Sequence, residues 1–201
     1  MSRSTGVRLR PVQSQETPAK GMFLVAAKDL RDPNFVRTVV LLVQYGEEGA
    51  VGLVLNHPTD VGLSEAFPGM EEEPGNMIHI GGPVARDQIM FLIRPDVPEA
   101  RTVHVLEDIF FTGDMSAVMS LAGTAGAEIR AYSGYAGWAP GQLDAELARG
   151  DWILVEGNPS DVFASAPEGL WGRLIQSLNL KSVLRSNDGG TAKWKQGAQT
   201  S

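Results

Sequence analysis

The sequence predicts an α+β fold with a mixed or antiparallel sheet that is flanked by helices. Short runs of apolar and β-branched residues recur along the chain, separated by turn residues, which is the pattern of strands. The 201 residues include 23 glycines and 12 prolines, which favours many turns over a helical bundle. Predicted strands dominate the first half of the chain, whereas strands and helices mix in the second half, as in α+β domains.

The first half is predicted to contain six strands and one short helix. Residues 21–27 (GMFLVAA) form a continuous apolar run typical of a buried strand. Residues 38–45 and 50–56 are rich in β-branched side chains, and the connector GEEG between them predicts a hairpin. Ser64 is placed to cap a short helix. Three further strands are predicted at residues 77–84, 88–94 and 101–107.

In the second half, three helices alternate with strands. Asp114 is placed to cap a helix whose apolar face carries Val118. Pro140 suits the first turn of another helix, in which Leu143 and Leu147 share one face. The last helix carries its apolar face on Leu170, Leu174, Ile175 and Leu178. Strands are predicted near residues 127–135 and 152–157.

The chain is predicted to form one domain with polar ends. Residues 21–180 contain all of the periodic segments, whereas residues 1–20 and 181–201 are polar and are predicted to be a flexible arm and a flexible tail. Each end carries a net charge of +3, so the remainder of this chain of net charge −7 carries −13. An acidic body is unsuited to direct nucleic-acid binding, because phosphates require clustered Lys and Arg.

The composition excludes several classes of function. The chain has no cysteine, which excludes disulfides, thiolate zinc sites and cysteine nucleophiles. No apolar leader is visible near the start, and the longest apolar run, TVVLLVQY, is too short to span a bilayer. These features predict a cytoplasmic protein that does not enter a membrane.

The stretch GYAGWAPGQLDAEL, residues 134–147, has two interpretations. Glycines before a helix can expose backbone N–H groups to an anion, and Tyr135 and Trp138 would then wall a pocket. Alternatively, the aromatic side chains fill the space that the glycines leave. The packing interpretation is favoured, because neither GxxxxGK[ST] nor GxGxxG occurs. The GGPV turn at Gly81, Gly82 and Pro83 raises the same alternatives, and a tight strand exit is again favoured.

Histidine chemistry is the remaining route to an enzyme. His57 follows a predicted strand directly, whereas His79 and His104 lie within strands. Their spacing matches no zinc motif, no GxSxG nucleophile elbow is present, and Glu71, Glu72 and Glu73 are best explained as a solvated run. The sequence therefore predicts no metal, no cofactor and no catalytic residue, with a hydrolase-like enzyme using a histidine base as an alternative.

Five segments in this order resemble the YqgE/AlgH family of bacterial proteins: GMFLVAAKDLRDPNFVRTVVLL, GAVGLVLNHP, HIGGPV, GYAGWAPGQLDAEL and DWILVEG. The resemblance covers about residues 20–180. It implies an α+β fold in which the sheet partly closes into a barrel, in a bacterial cytoplasmic protein. One branch of the family is linked to transcriptional control of exopolysaccharide synthesis.

These observations predict a non-enzymatic regulatory or interaction protein that acts through a protein partner or a small ligand. A small-molecule or anion-binding module built on the glycine corners is the second hypothesis. No oligomeric state is predicted. The residues assigned to the ligand or partner surface are Asn56, His57, Gly81, Gly82, Pro83, Tyr135, Gly137, Trp138 and Gln142.

Overall fold

The computed structural model describes residues 17–70, 76–95, 101–122, 124 and 128–188, with side chains considered up to residue 180. It has the predicted α+β architecture. The strands are β1 Phe23–Ala26, β2 Val39–Gly46, β3 Gly49–Val54, β4 Pro58–Gly62, β5 Met77–Ile80, β6 Val84–Arg94, β7 Val103–Leu106, β8 Ile109–Thr112, β9 Glu128–Trp138 and β10 Trp152–Val155. The helices are α1 Leu63–Ala66, α2 Met115–Leu121, α3 Gln142–Arg149, α4 Pro159–Val162 and α5 Leu170–Asp188.

One mixed sheet organises the molecule. Its main path runs β10-β1-β2-β3-β9-β6-β8-β7, and every neighbouring pair on this path is antiparallel. The exception is β5, which lies parallel to β9 and also pairs with β4. The predicted hairpin is confirmed and is tighter than its GEEG connector indicated, because Gly46 pairs with Gly49 across a two-residue turn.

The sheet does not close into a barrel, so this part of the expectation from the family resemblance is wrong. Closure requires hydrogen bonds between the first and last strands of the path. These are β10 and β7, which do not pair. They approach each other at one end, where a Cβ on Gly157, which follows β10, would lie 3.0 Å from Cδ2 of Leu106 in β7. Each of the two strands has only four residues, and the contact does not extend into a ladder.

Three hydrophobic cores are packed against this sheet. Successive side chains of β1 point to opposite faces of the sheet, so Phe23 lies in the first core and Leu24 lies in the second. The first core includes Phe23, Leu41, Leu53, Tyr132, Val162 and Leu170. The second includes Leu24, Val40, Ala136, Trp138, Leu143 and Trp152. The third includes Leu63, Phe91, Val118 and Ala131. Burying these apolar side chains supplies the main driving force for folding.

The helix ends agree with the sequence in part. Asp114 caps α2 by accepting a hydrogen bond from the backbone N–H of Ser116, as predicted. Ser64 does not cap α1, which begins at Leu63 after Gly62. Helix α5 continues to residue 188, beyond the predicted start of the tail at 181. No helix among the described residues is both long and apolar enough to cross a membrane.

Three predicted segments fall wholly or partly outside the described residues. Glu71, Glu72 and Glu73 lie in the gap between residues 70 and 76. Residues 1–16 of the arm and residues 189–201 of the tail are likewise outside. The flexibility assigned to the two ends therefore remains a prediction.

Candidate functional site

The GGP turn carries the chain across strand β9. Strand β5 pairs with Tyr132 and Ser133 of β9 in parallel, and β6 pairs with the same two residues in antiparallel orientation. Because a strand offers one edge to each neighbour, β5 and β6 must lie on opposite edges of β9. The chain therefore crosses β9 between Ile80 and Val84.

Glycine is required at this crossing because backbone packs directly on backbone. A Cβ on Gly82 would lie 2.1 Å from the carbonyl carbon of Tyr135, and a Cβ on Gly81 would lie 2.3 Å from the carbonyl oxygen of Gly134. The carbonyl of Gly81 also accepts a hydrogen bond from the N–H of Val54, at 2.8 Å. The space beside both glycines is thus filled by the protein, which agrees with the strand-exit interpretation.

Gly134 changes the face on which the side chains of β9 lie. It has a φ of 69°, a left-handed conformation that favours glycine. Strict alternation would place Tyr132, Ala136 and Trp138 on one face. Instead Tyr132 lies in the first core, whereas Ala136 and Trp138 lie in the second. Tyr135 packs against the first core, so the predicted surface residues Tyr135 and Trp138 are on different faces and do not line one shared site.

Glu146 joins the two tryptophans of the second core. Its Oε2 accepts the indole N–H of Trp138 and the indole N–H of Trp152, each at 2.8 Å, and its Oε1 accepts from Nε2 of Gln142 at 3.0 Å. Phe35 stacks on Trp138 with ring centroids 6.1 Å apart and meets Trp152 edge-on at 5.5 Å. Helix α3 is thereby fixed to β9 and β10.

This arrangement explains the GWAPGQLDAEL motif as a packing corner. Pro140 precedes helix α3, which begins at Gln142 after Gly141 in a left-handed conformation. The side-chain oxygen of Gln142 accepts the backbone N–H of Ala139 at 3.0 Å, so the chain itself occupies this donor at the corner. Sequence reasoning missed Phe35 and Trp152 as partners of the motif. The signal available in the sequence was the carboxylate of Glu146 close to tryptophan, which the position near the start of the helix had seemed to explain.

Asn56 has a structural role. Its Oδ1 accepts the N–H of Val39 at 2.8 Å and its Nδ2 donates to the carbonyl of Arg37 at 2.9 Å, with the side chain buried. His57 is partly buried beside it, and its backbone carbonyl accepts from the N–H of Ile80. Burial lowers the pKa of His57 below its usual value.

His79 lies in the protein interior. The residue is 1% exposed, and its Nδ1 lies 2.9 Å from the carbonyl oxygen of Met77. Burial, together with the positive charge of Arg130, lowers the pKa of His79 to about 4. Within the described part of the chain, neither His57 nor His79 forms a hydrogen bond or ion pair with a carboxylate. Across all of the residues that the structure describes, no group of three or more His, Asp or Glu side chains is placed to hold a metal ion.

The first half of β6 forms an exposed bulge. Val84 pairs with Tyr135 and Ile89 pairs with Ser133, so residues 85–88 lie opposite Gly134 alone. Ala85 has a φ of 48°, which is unusual for a residue with a Cβ. The carbonyl of Arg86 accepts the hydroxyl of Ser133 at 2.7 Å. Sequence reasoning left residues 85–87 unassigned and placed Gln88 in the following strand, although the polar run ARDQ between two apolar segments was a visible signal.

Four of the predicted surface residues border this bulge: Gly82, Pro83, Tyr135 and Gly137. Pro83 and Gly137 are exposed, Tyr135 is partly buried and Val84 is 38% exposed. Hereafter the bulge surface means Pro83, Val84, residues 85–88, Tyr135 and Gly137. The other predicted residues serve the strand crossing, the corner before α3 or the end of β3.

Comparisons with known proteins agree on one family. Residues 23–182 match a family model described as DUF179, AlgH-like. A UPF0301 protein of Chlorobaculum tepidum is 38% identical over 163 residues, which cover 78% of this chain and 85% of the relative. A UPF0301 protein of Streptomyces avermitilis is 39% identical over 167 residues, covering 78% and 84%. The solution structure of the AlgH protein from Pseudomonas aeruginosa is similar with a TM-score of 0.63 and 28% identity, covering 92% of this chain and 99% of that one. A crystal structure of a Corynebacterium diphtheriae protein has a TM-score of 0.68 and 26% identity, covering 81% and 88%.

Proposed function

This chain belongs to the AlgH-like family, and from that premise we propose that it is a non-enzymatic interaction protein that binds a protein partner through the bulge surface. The exposed bulge in β6 is the observation that carries the proposal. Regular strand pairing is interrupted there, yet the backbone is held in place. Bulges re-aim side chains and are frequent at sheet edges and next to functional sites.

The bulge surface combines exposure with a fixed shape. Ser133 anchors the carbonyl of Arg86, and Ala85 is held in a left-handed conformation. Strained backbone of this kind persists only where the surrounding structure imposes it, and it clusters at functional positions. Val84 supplies exposed apolar area, while Arg86 and Asp87 supply charges of both signs. A mixed apolar and charged patch is better suited to a protein surface than to a phosphate backbone.

The net charge of the domain favours a protein over nucleic acid as the binding partner. Residues 21–180 carry a net charge of −13, which repels DNA and RNA at long range. If the protein contributes to transcriptional control, the proposal is that it acts through another protein. A cytoplasmic, bacterial setting belongs to the same proposal and rests on the family resemblance.

The competing functions have less support from the geometry. A ligand module at the Gly81–Val84 corner would need space where the backbone of Gly134 and Tyr135 already lies, and at the corner before α3 the N–H of Ala139 is already bonded to Gln142. A histidine-base enzyme would need an accessible imidazole with an orienting partner, whereas His79 is buried and faces Met77. A thermal-shift screen with metabolites and nucleotides tests the first alternative. A strong shift retained by a bulge-surface variant would favour a ligand module.

Affinity capture from the native cell with three proteins tests the proposal. The wild type is compared with a bulge variant, Val84→Ser with Arg86→Ser, and with a matched control, Val36→Ser with Arg31→Ser, which removes an exposed valine and arginine from another loop. We expect one protein to be retained by the wild type and the control and lost by the bulge variant. Identical retention by all three, or tight sequence-selective DNA binding in a gel shift, would contradict the proposal.

A further inference from the structure

Two polar atoms in the first core have no hydrogen-bond partner among the described residues. They are Nε2 of His79 and the phenol oxygen of Tyr132. Both residues are almost completely buried, at 1% and 0% exposure. Buried polar atoms without partners are strongly unfavourable, and protein interiors contain few of them.

The two side chains are direct neighbours. His79 and Tyr132 are opposite each other in the pairing of β5 with β9, and their ring centroids are 5.4 Å apart with an angle of 47° between the rings. Paired residues at the same register project from the same face of a sheet. Their polar ends therefore lie in one small region of the protein interior.

The proton of His79 is on Nδ1. This nitrogen lies 2.9 Å from the carbonyl oxygen of Met77, and because a carbonyl oxygen only accepts, Nδ1 must donate. In the neutral ring Nε2 is then an acceptor. The phenol of Tyr132 has a proton to donate, but the tilted rings do not bring the two groups into a direct hydrogen bond.

Arg130 lies beside this region, and its positive charge acts on both His79 and Tyr132. Its side chain is 7% exposed, and its two terminal nitrogens donate to the carbonyls of Val162, at 2.7 Å, and Ala164, at 3.1 Å. The guanidinium also lies over the ring of Phe163, 5.8 Å from its centroid. These two hydrogen bonds of Arg130 thus hold the end of α4 and the residues that follow it.

We propose that an internal water molecule is bound between His79 and Tyr132. It donates one hydrogen bond to Nε2 of His79 and accepts one from the phenol of Tyr132. Internal waters occupy this kind of position, where buried donors and acceptors face each other without meeting. A small anion fits less well, because it has no proton to give to a neutral Nε2 that needs a donor.

The test is magnetic relaxation dispersion of water nuclei, which counts long-lived internal waters. We expect Tyr132→Phe to reduce the count by one relative to the wild type, and the matched variant Tyr45→Phe, at a partly exposed tyrosine, to leave it unchanged. An unchanged count in folded Tyr132→Phe would overturn the proposal.

A high-resolution crystal structure of the wild-type protein provides a second test that needs no variant. Water density within hydrogen-bonding distance of both atoms supports the site. A direct bond between the phenol and Nε2, a bound anion such as chloride, or empty density there would each overturn it.

Discussion

Glu146 accepts the indole N–H of Trp152 at 2.8 Å with the same carboxylate oxygen that accepts the indole N–H of Trp138. One side chain on α3 therefore satisfies the polar atoms of two aromatic rings from two strands of the second core. Buried indole N–H groups need acceptors, and a carboxylate gives shorter and stronger bonds than a neutral group. This contact gives the motif around Trp138 a structural reason that does not require a ligand.

Replacement of Glu146 tests this role. Glu146→Gln keeps the shape but gives the position an N–H₂ group, which cannot accept, so at least one of the three donors loses its partner. We expect a loss of about 1–2 kcal/mol in the free energy of unfolding, and a larger loss for Glu146→Ala. Urea unfolding followed by circular dichroism measures both. The control is Glu48→Gln in the exposed β2–β3 turn, and equal stability of Glu146→Gln and this control would contradict the assignment.

Substitution of Gly82 in the strand crossing and of Gly172 in helix α5 should have opposite effects on stability. In Gly82→Ala the new methyl group overlaps the backbone of Tyr135, and we expect a loss of more than about 4 kcal/mol or failure to fold. Gly172 lies in α5 with no atom within 4 Å of its would-be Cβ, so Gly172→Ala is expected to stabilise by up to about 1 kcal/mol. Thermal unfolding compares the two proteins. A well-folded Gly82→Ala protein of wild-type stability would show that the crossing is not tight.

The bulge surface predicts an unusual response to glycine at position 85. Ala85 has positive φ, so Ala85→Gly relieves backbone strain of about 1 kcal/mol, which offsets the entropy that glycine loses on folding. We expect stability to be unchanged or slightly raised. Ala131→Gly, in the buried part of β9, is the control and should lose at least about 1 kcal/mol. Equal losses in both variants would mean that Ala85 is not strained.

The lowered pKa of His79 predicts that the free energy of unfolding depends on pH. Its folded pKa of about 4 lies below the ordinary histidine value of 6.5 because of burial and the charge of Arg130, with His57 contributing in the same direction. The unfolded chain therefore binds more protons between these pH values, and the free energy of unfolding falls as pH decreases from 6.5 towards 4. The expected loss between pH 7 and pH 4 is about 3 kcal/mol from this residue.

The matched variant for this pH effect is His79→Leu. It retains His57, Arg130 and the carboxylates, so the difference between the two stability profiles isolates His79. We expect the variant to be less sensitive to acid over this range. Parallel profiles from pH 7 to pH 4 would show that His79 titrates normally in the folded protein.

Local patterns in the sequence were sufficient for most elements. The β-branched runs on both sides of GEEG predicted the hairpin, because side-chain shape and turn length act over a few residues. Asp114 was recognised as a cap for the same reason. Ser64 was not correctly placed, since α1 begins one residue earlier, at Leu63 after Gly62, and Ser64 therefore lies inside the first turn.

The ligand or partner surface stays a prediction, and the structure shows where its residues lie. In the structure Gly82, Pro83, Tyr135 and Gly137 lie around one strand crossing, where glycine allows the close approach of backbone. Trp138 lies on the other face of β9 from Tyr135, as simple alternation requires, whereas Gly134 reverses the alternation between Tyr132 and the residues that follow it. Nothing in the sequence distinguishes that glycine from its neighbours.

The sequence by itself determined that this chain builds strands and helices around an apolar interior, carries an acidic body and contains tight glycine turns, since these depend on composition and on spacing over a few residues. Only the tertiary structure decided that the sheet stays open, that Glu146 meets Trp152 and that His79 meets Tyr132. Those relationships join side chains from different elements. Their geometry is set by strand register and by the packing of the whole domain, which no local pattern records.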